Sequence, residues 1–215
     1  MRVDGRDIRR RGCLFIVSGP SGAGKTSICT PVLERLSDMS FSVSYTTRKP
    51  RPGERDGVDY RFVDAQTFDG MVASGAFAEW AEVHGNRYGT AKADVDSAIA
   101  AGRDLLLDID VQGAALLKAS YPEAVAVFLL PPSPAALKKR LVGRGTDDPS
   151  TVATKLRNAC AEIRSVGRYD YVIVNEDVDA SVGGLMAIVT AQRLLIGSIV
   201  PDDLAEIVRA FDSKP

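Results

Sequence analysis

An apolar run, Leu14-Phe15-Ile16-Val17, opens into Gly19-Pro20-Ser21-Gly22-Ala23-Gly24-Lys25-Thr26, and Ile28, Val32, Leu33 and Leu36 then recur at helical spacing. A buried strand, a glycine-rich turn and a helix in that order leave little choice of fold. They are the opening unit of a parallel sheet with crossover helices. The small residues let the backbone turn tightly, so that successive N–H groups and the first turn of the helix converge on one anion. Lys25 brings a full positive charge within reach of terminal phosphates, and the Thr26 hydroxyl stands where a Mg²⁺ ligand belongs. A turn of this spacing also arises by chance. The strand before it and the helix after it make it a cradle for the phosphates of a nucleoside triphosphate.

The rest of the chain keeps the same rhythm. Strand patterns fall at 14–18, 41–46, 105–109, 125–130 and 171–174, and helix patterns at 27–36, 91–101, 113–118, 134–144, 149–166, 180–195 and 202–211. Ser133 before Pro134, and Asp179, are the expected N-terminal caps of their helices. With 215 residues, 45% of them hydrophobic, there is material for one sizeable α/β core. The rhythm breaks between about 48 and 90. There the aromatic-bearing pieces Tyr60-Arg61-Phe62-Val63, Ala76-Phe77-Ala78-Glu79-Trp80 and Asn86-Arg87-Tyr88 are separated by Gly and Pro, which reads as a small, mostly β insert. Glycines among charged residues at 143–148 mark a lid, spanning about 138–160. The expected division is a tail at 1–12 and one domain at 13–215, with its core formed by 13–47 and 91–215.

Several functional classes recede at this level. A net charge of -1 lacks the basic surface of a general nucleic-acid binder, so any recognition of anions must be local. The three cysteines, Cys13, Cys29 and Cys160, are scattered and match neither a disulfide framework nor a zinc site; a reducing cytosol suits them. The apolar run after the Arg-rich tail is too short for a signal-peptide core. That tail reads as mobile and solvated, with phosphate or partner contacts by Arg9, Arg10 and Arg11 as the other reading. Residues 182–200 are apolar, yet Gln192 and Arg193 interrupt them, and a central arginine costs about 2.5–3.5 kcal/mol on insertion. An amphipathic helix packed on the sheet is expected. His84 is the single histidine, expected on a loop of the insert, and its isolation removes Ser–His–Asp triads and histidine metal clusters.

Two further segments carry chemistry. The first, Ser44-Tyr45-Thr46-Thr47-Arg48-Lys49-Pro50-Arg51-Pro52-Gly53-Glu54, continues through Arg55 to Gly57-Val58-Asp59-Tyr60. It packs four cations just past a strand end, where α/β sheets hold ligands. Planar guanidinium groups match phosphate oxygens two at a time, although basic loops are also often simply solvated. The second, Leu105-Leu106-Leu107-Asp108-Ile109-Asp110, is an apolar strand ending in acids. Such acids help hold Mg²⁺ beside a phosphate loop, often through water, or simply end a strand and cap a helix. Arg140 and Arg144 share a helix face and can turn together toward a transferring phosphoryl group; a wet charged face has the same spacing.

Together with the 19–26 loop, Tyr88-Gly89-Thr90 and Asp108-Ile109-Asp110-Val111-Gln112-Gly113, the pattern T-T-R-x-P-R-x-G-E…G-x-D-Y closely resembles the guanylate kinases. The likeness runs over about residues 12–175 and weakly beyond. It implies an α/β fold: a P-loop NTPase-type parallel sheet core flanked by helices, a small mostly β insert that binds a nucleoside monophosphate, and a mobile lid. It also implies transfer of the γ-phosphoryl of ATP to GMP, and to dGMP, with Mg²⁺. Carried over by position, it assigns ATP to Gly19, Pro20, Ser21, Gly22, Ala23, Gly24, Lys25 and Thr26, with Asn175 at the adenine. Arg48, Arg51, Tyr60 and Tyr88 would surround the GMP phosphate, and Glu79 would read the base with Ser44, Thr90 and Asp110. Mg²⁺ would rest on Thr26 and, through water, Asp108. Lys25, Arg48, Arg140, Arg144 and Lys155 would be the catalytic cations.

The chemistry of the base supports Glu79, because guanine presents N1–H and N2–H₂ side by side to one carboxylate, whereas adenine offers an acceptor at N1. By composition alone, Glu79 beside Trp80 would face outward from its strand. Lys155 departs from the arginine common in the family, keeping the charge but losing the bidentate fork. The implied partners are small molecules in the cytoplasm, with neither nucleic acid nor membrane; association with further copies is left open. Two other classes fit in part. A phosphopeptide-binding module could use the same arginines, but such modules have an eroded phosphate loop, and here Lys25, Thr26 and Asp108 are intact. A P-loop kinase for another phosphorylated acceptor would not need Glu79 with Ser44.

Overall fold

The segment Leu14–Ser18 is buried along its whole length, which requires layers on both sides of its sheet. Phe15 and Val17 enter one apolar cluster, and Leu14 and Ile16 enter the other. Period-two alternation therefore builds two cores from one strand. Each large apolar side chain buried in them contributes about 1.5–3 kcal/mol. The computed structural model describes residues 2–3, 6–83, 85–143 and 148–212.

In chain order the strands are β1 (Arg2–Val3), β2 (Arg6–Asp7), β3 (Leu14–Ser18), β4 (Met39–Phe41), β5 (Tyr45–Thr46), β6 (Arg61–Phe62), β7 (Phe77–Val83), β8 (Asn86–Ala91), β9 (Asp104–Asp108), β10 (Val125–Leu130) and β11 (Tyr171–Val174). The helices are α1 (Lys25–Arg35), α2 (Ala65–Ala73), α3 (Lys92–Ala100), α4 (Val111–Ser120), α5 (Pro134–Gly143), α6 (Pro149–Ile163), α7 (Val178–Arg193) and α8 (Pro201–Asp212). Five strands form a parallel sheet in the order β11-β10-β3-β9-β4. Helices α1 and α7 cover one face through Ile28, Val32, Val182, Leu185 and Val189; α3 and α4 cover the other through Val95, Ala98, Ala114 and Leu117. The loop after β3 thus leaves the middle of the carboxyl edge. The register Val17↔Asp108 sets the end of β9 beside it.

A second sheet, ordered β6-β5-β8-β7, is the insert. The strand expected at 41–46 is divided between the two sheets: β4 ends on β9, and β5 pairs with β6 and β8. The small buried Ser42 and Ser44 carry the chain across. The insert also holds a helix absent from the sequence expectation. Asp64 caps α2 by accepting from Thr67 N at 2.7 Å, and Phe68 is its buried anchor.

Three other expectations change. The cap of α7 is Asp177, which accepts from Ala180 N, rather than Asp179. Ser133 caps α5 as expected, accepting from Ala136 N. The basic tail is not simply solvated at Arg9 and Arg10. Arg9 pairs with Asp203, while Arg10 and Arg193 converge on the fully buried Asp104 and on Asp38. A buried carboxylate needs such partners, and two guanidinium groups provide them. His84 and Arg144 lie outside the described residues. Among the described residues, no helix is long and apolar enough to cross a membrane.

Candidate functional site

The phosphate loop takes a positive φ at Gly19, Gly22 and Gly24, and at two of these the space is closed to a side chain as well. Gly19, at φ 147°, lies so close to Leu129 that a Cβ would sit 2.3 Å from its carbonyl oxygen. Gly24, at φ 100°, would place a Cβ 2.3 Å from Asn175 Nδ2. Helix α1 starts at this glycine without a side-chain cap or an acidic residue in its first turn. Its first N–H groups and the positive end of its dipole are thereby left available for an anion. Lys25 Nζ donates to Gly19 O at 2.8 Å and stands 3.8 Å from Asp108 Oδ1. Burial raises the Asp108 carboxyl above its ordinary range, and the Lys25 charge opposes that rise.

Asn175 braces this loop from below. Its Nδ2 donates to Ala23 O at 2.7 Å, its Oδ1 accepts from Ser181 Oγ, and it is 1% exposed. Its amide is thus engaged within the fold; the resemblance would set it beside adenine. Arg140 is also latched onto the loop, donating to Ala23 O at 3.2 Å and Asn175 O at 2.7 Å. Pro20 and Ala23 are buried within the loop itself.

Across a cleft of about 330 Å³, the insert presents a second set of polar groups. Ser44, Arg48, Arg51, Tyr60, Glu79 and Tyr88 line it together with Lys25, Thr26 and Asp108, and Asp110 and Lys155 line it as well. The Arg48 fork is aimed by Glu54, which accepts from both of its terminal nitrogens at 3.0 and 2.8 Å and from Arg51 N at 2.7 Å. Its guanidinium also lies 5.3 Å from the Tyr60 ring centroid, and Tyr60 meets Tyr88 edge-on. Glu54 is a positioning residue that sequence reasoning did not single out. Its signal was the acid closing the T-T-R-x-P-R-x-G-E pattern.

Glu79 reverses its compositional expectation. A shift of register between Phe77 and Glu79 in the β7–β8 pair sets Glu79 opposite Thr90 and turns its side chain inward, leaving Trp80 41% exposed. The carboxylate is 6% exposed and accepts one strong hydrogen bond, from Thr90 Oγ1 at 2.7 Å. Thr90 is thus one step behind the cleft wall, acting through Glu79. Asp110 accepts from Gly113 N at 2.9 Å and caps α4.

The sequence model of the guanylate kinase family matches residues 11–192. The chain belongs to the guanylate kinase family. It is 54% identical over 185 residues to the guanylate kinase of Syntrophotalea carbinolica, covering 86% of this chain and 88% of that one. It is 52% identical over 183 residues to that of Aromatoleum aromaticum, covering 85% and 90%. The crystal structure of guanylate kinase from Anaplasma phagocytophilum superposes with a TM-score of 0.78 at 30% identity, over 97% of this chain and 99% of that one. The expected fold, a P-loop parallel core with a smaller β sheet beside it, is the fold observed.

The electrostatics of Glu79 give the protein a pH signature. Burial, opposed by the Thr90 bond and assisted by the nearby Asp110 charge, pushes its carboxyl up to about 7. Between about pH 4.5 and 7 the fold holds a proton that the unfolded chain has released, so stability falls as pH rises through that window. The full loss is on the order of 3 kcal/mol. Glu79→Gln removes the titration. Its melting temperature without nucleotide is expected to gain several degrees on the wild type between pH 5 and pH 8. A difference that stays constant across that range would contradict the buried, uncompensated carboxylate.

Proposed function

We propose that this protein transfers the γ-phosphoryl group of ATP to the phosphate of GMP, giving ADP and GDP, with dGMP as a second acceptor. The observation that carries the reading is Glu79, a nearly buried carboxylate left with one strong hydrogen bond, in the same cleft as an uncapped phosphate loop. Guanine N1–H and N2–H₂ would satisfy it together. Adenine would set a lone pair against it, and sites that hydrogen-bond a substrate in this way reject the mismatch by factors on the order of 10⁴–10⁵.

In this reading Arg48, Arg51, Tyr60 and Tyr88 neutralise and orient the acceptor phosphate. With a second pKa of about 6, that phosphate is already a dianion at neutral pH and attacks without a protein base. Lys25 and the loop N–H groups hold the donor phosphates in line with it. Arg140, Arg144 and Lys155 bring further positive charge as the lid closes. The hydroxyl of Thr26 and the carboxylate of Asp108 are hard oxygen donors on one wall, which suits Mg²⁺. Mg²⁺ ordinarily keeps several waters and binds through one or two carboxylates plus substrate phosphates, so these two donors would suffice on the protein side. When bound, the ion neutralises charge on the phosphate oxygens. The cytosol is the proposed compartment, in keeping with three free cysteines.

The test is ADP release with ATP and each of GMP, dGMP, AMP, CMP and UMP. Turnover is expected with the two guanine nucleotides. AMP turned over as well as GMP would overturn the proposal.

A further inference from the structure

The first turn of α4 passes directly against the Glu79 carboxylate, and the residue at the contact is Gly113. A Cβ there would lie 2.8 Å from Glu79 Oε2 and 3.2 Å from Asp110 Oδ1, the former closer than real Cβ atoms approach. Gly113 is buried in the first turn of this helix, where no left-handed conformation or helix end calls for glycine. In a helix, glycine is disfavoured relative to alanine, so its presence calls for another reason. The neighbours identify it: both atoms crowding the missing Cβ are carboxylate oxygens of residues that line the cleft.

We infer that Gly113 is a specificity-determining positioning residue, whose lack of a side chain lets Glu79 lie against α4 at the depth needed to read guanine. The inference rests on the reading of Glu79 as the base-recognising group. Glu79 is pinned at Oε1 by Thr90 and at its backbone by β8, so it cannot yield to a methyl group and keep its place. Restoring ordinary contact requires Oε2 to withdraw by about half an ångström, comparable to the tolerance of a binding constellation. The collision involves the far end of a side chain rather than backbone, so the fold should accommodate it while recognition does not.

The experiment is steady-state kinetics of Gly113→Ala, Glu79→Ala and the double variant, with Glu79→Gln alongside. Gly113→Ala is expected to raise KM for GMP about 10- to 100-fold, with kcat at saturating GMP and KM for ATP within a few-fold of the wild type. Its melting temperature should be no lower than that of the wild type. In the Glu79→Ala background the same substitution should leave KM for GMP unchanged, because the atom it strikes is gone. An unaltered KM in Gly113→Ala, or an equal penalty in both backgrounds, would overturn the inference. If Gly113→Ala fails to fold, the double variant decides: its folding would support the collision, and its failure would mean the helix itself demands glycine. Should Glu79→Gln leave the GMP/AMP ratio intact, the base reading falls with it; should that ratio collapse while Gly113→Ala is silent, only the present inference falls.

Discussion

Replacing Lys25 by alanine is expected to lower kcat about 10³-fold while leaving KM for GMP within a few-fold of its normal value. The asymmetry follows from where Lys25 stands. It belongs to the first turn of α1, bonds Gly19 O at 2.8 Å and faces Asp108 at 3.8 Å, on the loop side of the cleft. The acceptor groups Arg48 and Glu79 are supplied by the insert and remain in place without it. In the resting enzyme the ammonium holds the loop carbonyl and offsets Asp108. With nucleotide bound, the same charge would move to the phosphates, where negative charge builds on the leaving oxygen. Alanine removes that charge and also leaves Asp108 beside the loop without its cation, so the carboxyl should take up a proton more readily. Measured kinetics with both substrates varied distinguish the outcomes. A kcat within a few-fold of the wild type would mean that the loop is not the donor site.

The second large effect is expected at Glu79. Glutamine keeps the shape and can still accept from Thr90, but it turns an amide N–H₂ toward guanine's own donors. One favourable pair becomes a donor–donor clash at a side chain only 6% exposed, where water compensates poorly. Loss of charge-assisted bonds on this scale corresponds to about 10²- to 10³-fold in kcat/KM for GMP. AMP gains from the same change, because the amide can donate to adenine N1. The variant therefore serves as a specificity probe rather than a simple loss of function. It should also be at least as stable as the wild type above pH 7, since the buried charge is gone.

The two halves of the site differ in how openly the chain declares them. The donor half is contiguous, since strand, glycine turn, Lys25 and helix follow one another, and local rules of backbone and charge suffice to read them. The acceptor half is assembled from segments 44–60, 79–90 and 108–113, and only the likeness to a known family joined them before the fold was in view. Glu79 shows why. Its inward orientation depends on a register shift against β8, a pairing property that the alternation of a single strand does not carry. The run 41–46 reads as one strand because apolar and polar residues alternate through it without a break, yet its two ends belong to different sheets. Helix α2 is hard to read because it is short, carries Thr67, Gly70 and Val72, and lies between aromatic-bearing strand pieces; tertiary burial of Phe68 decides in its favour. Arg9 finds Asp203, 194 positions away, and no local pattern announces such a partner. Asn175 was visible as a strand-end residue, but its bracing of Ala23 O could be seen only once β11 was set beside the loop through β10.

The central claim is that one cleft joins a phosphate-loop donor site to an acceptor site that selects guanine through Glu79. Its most direct test is the ratio of kcat/KM for GMP to that for AMP, measured side by side in the wild type and in Glu79→Gln with ATP as donor. The ratio should fall by at least about 10²-fold in the variant, through loss on GMP and gain on AMP. A ratio equal in the two proteins would contradict the account.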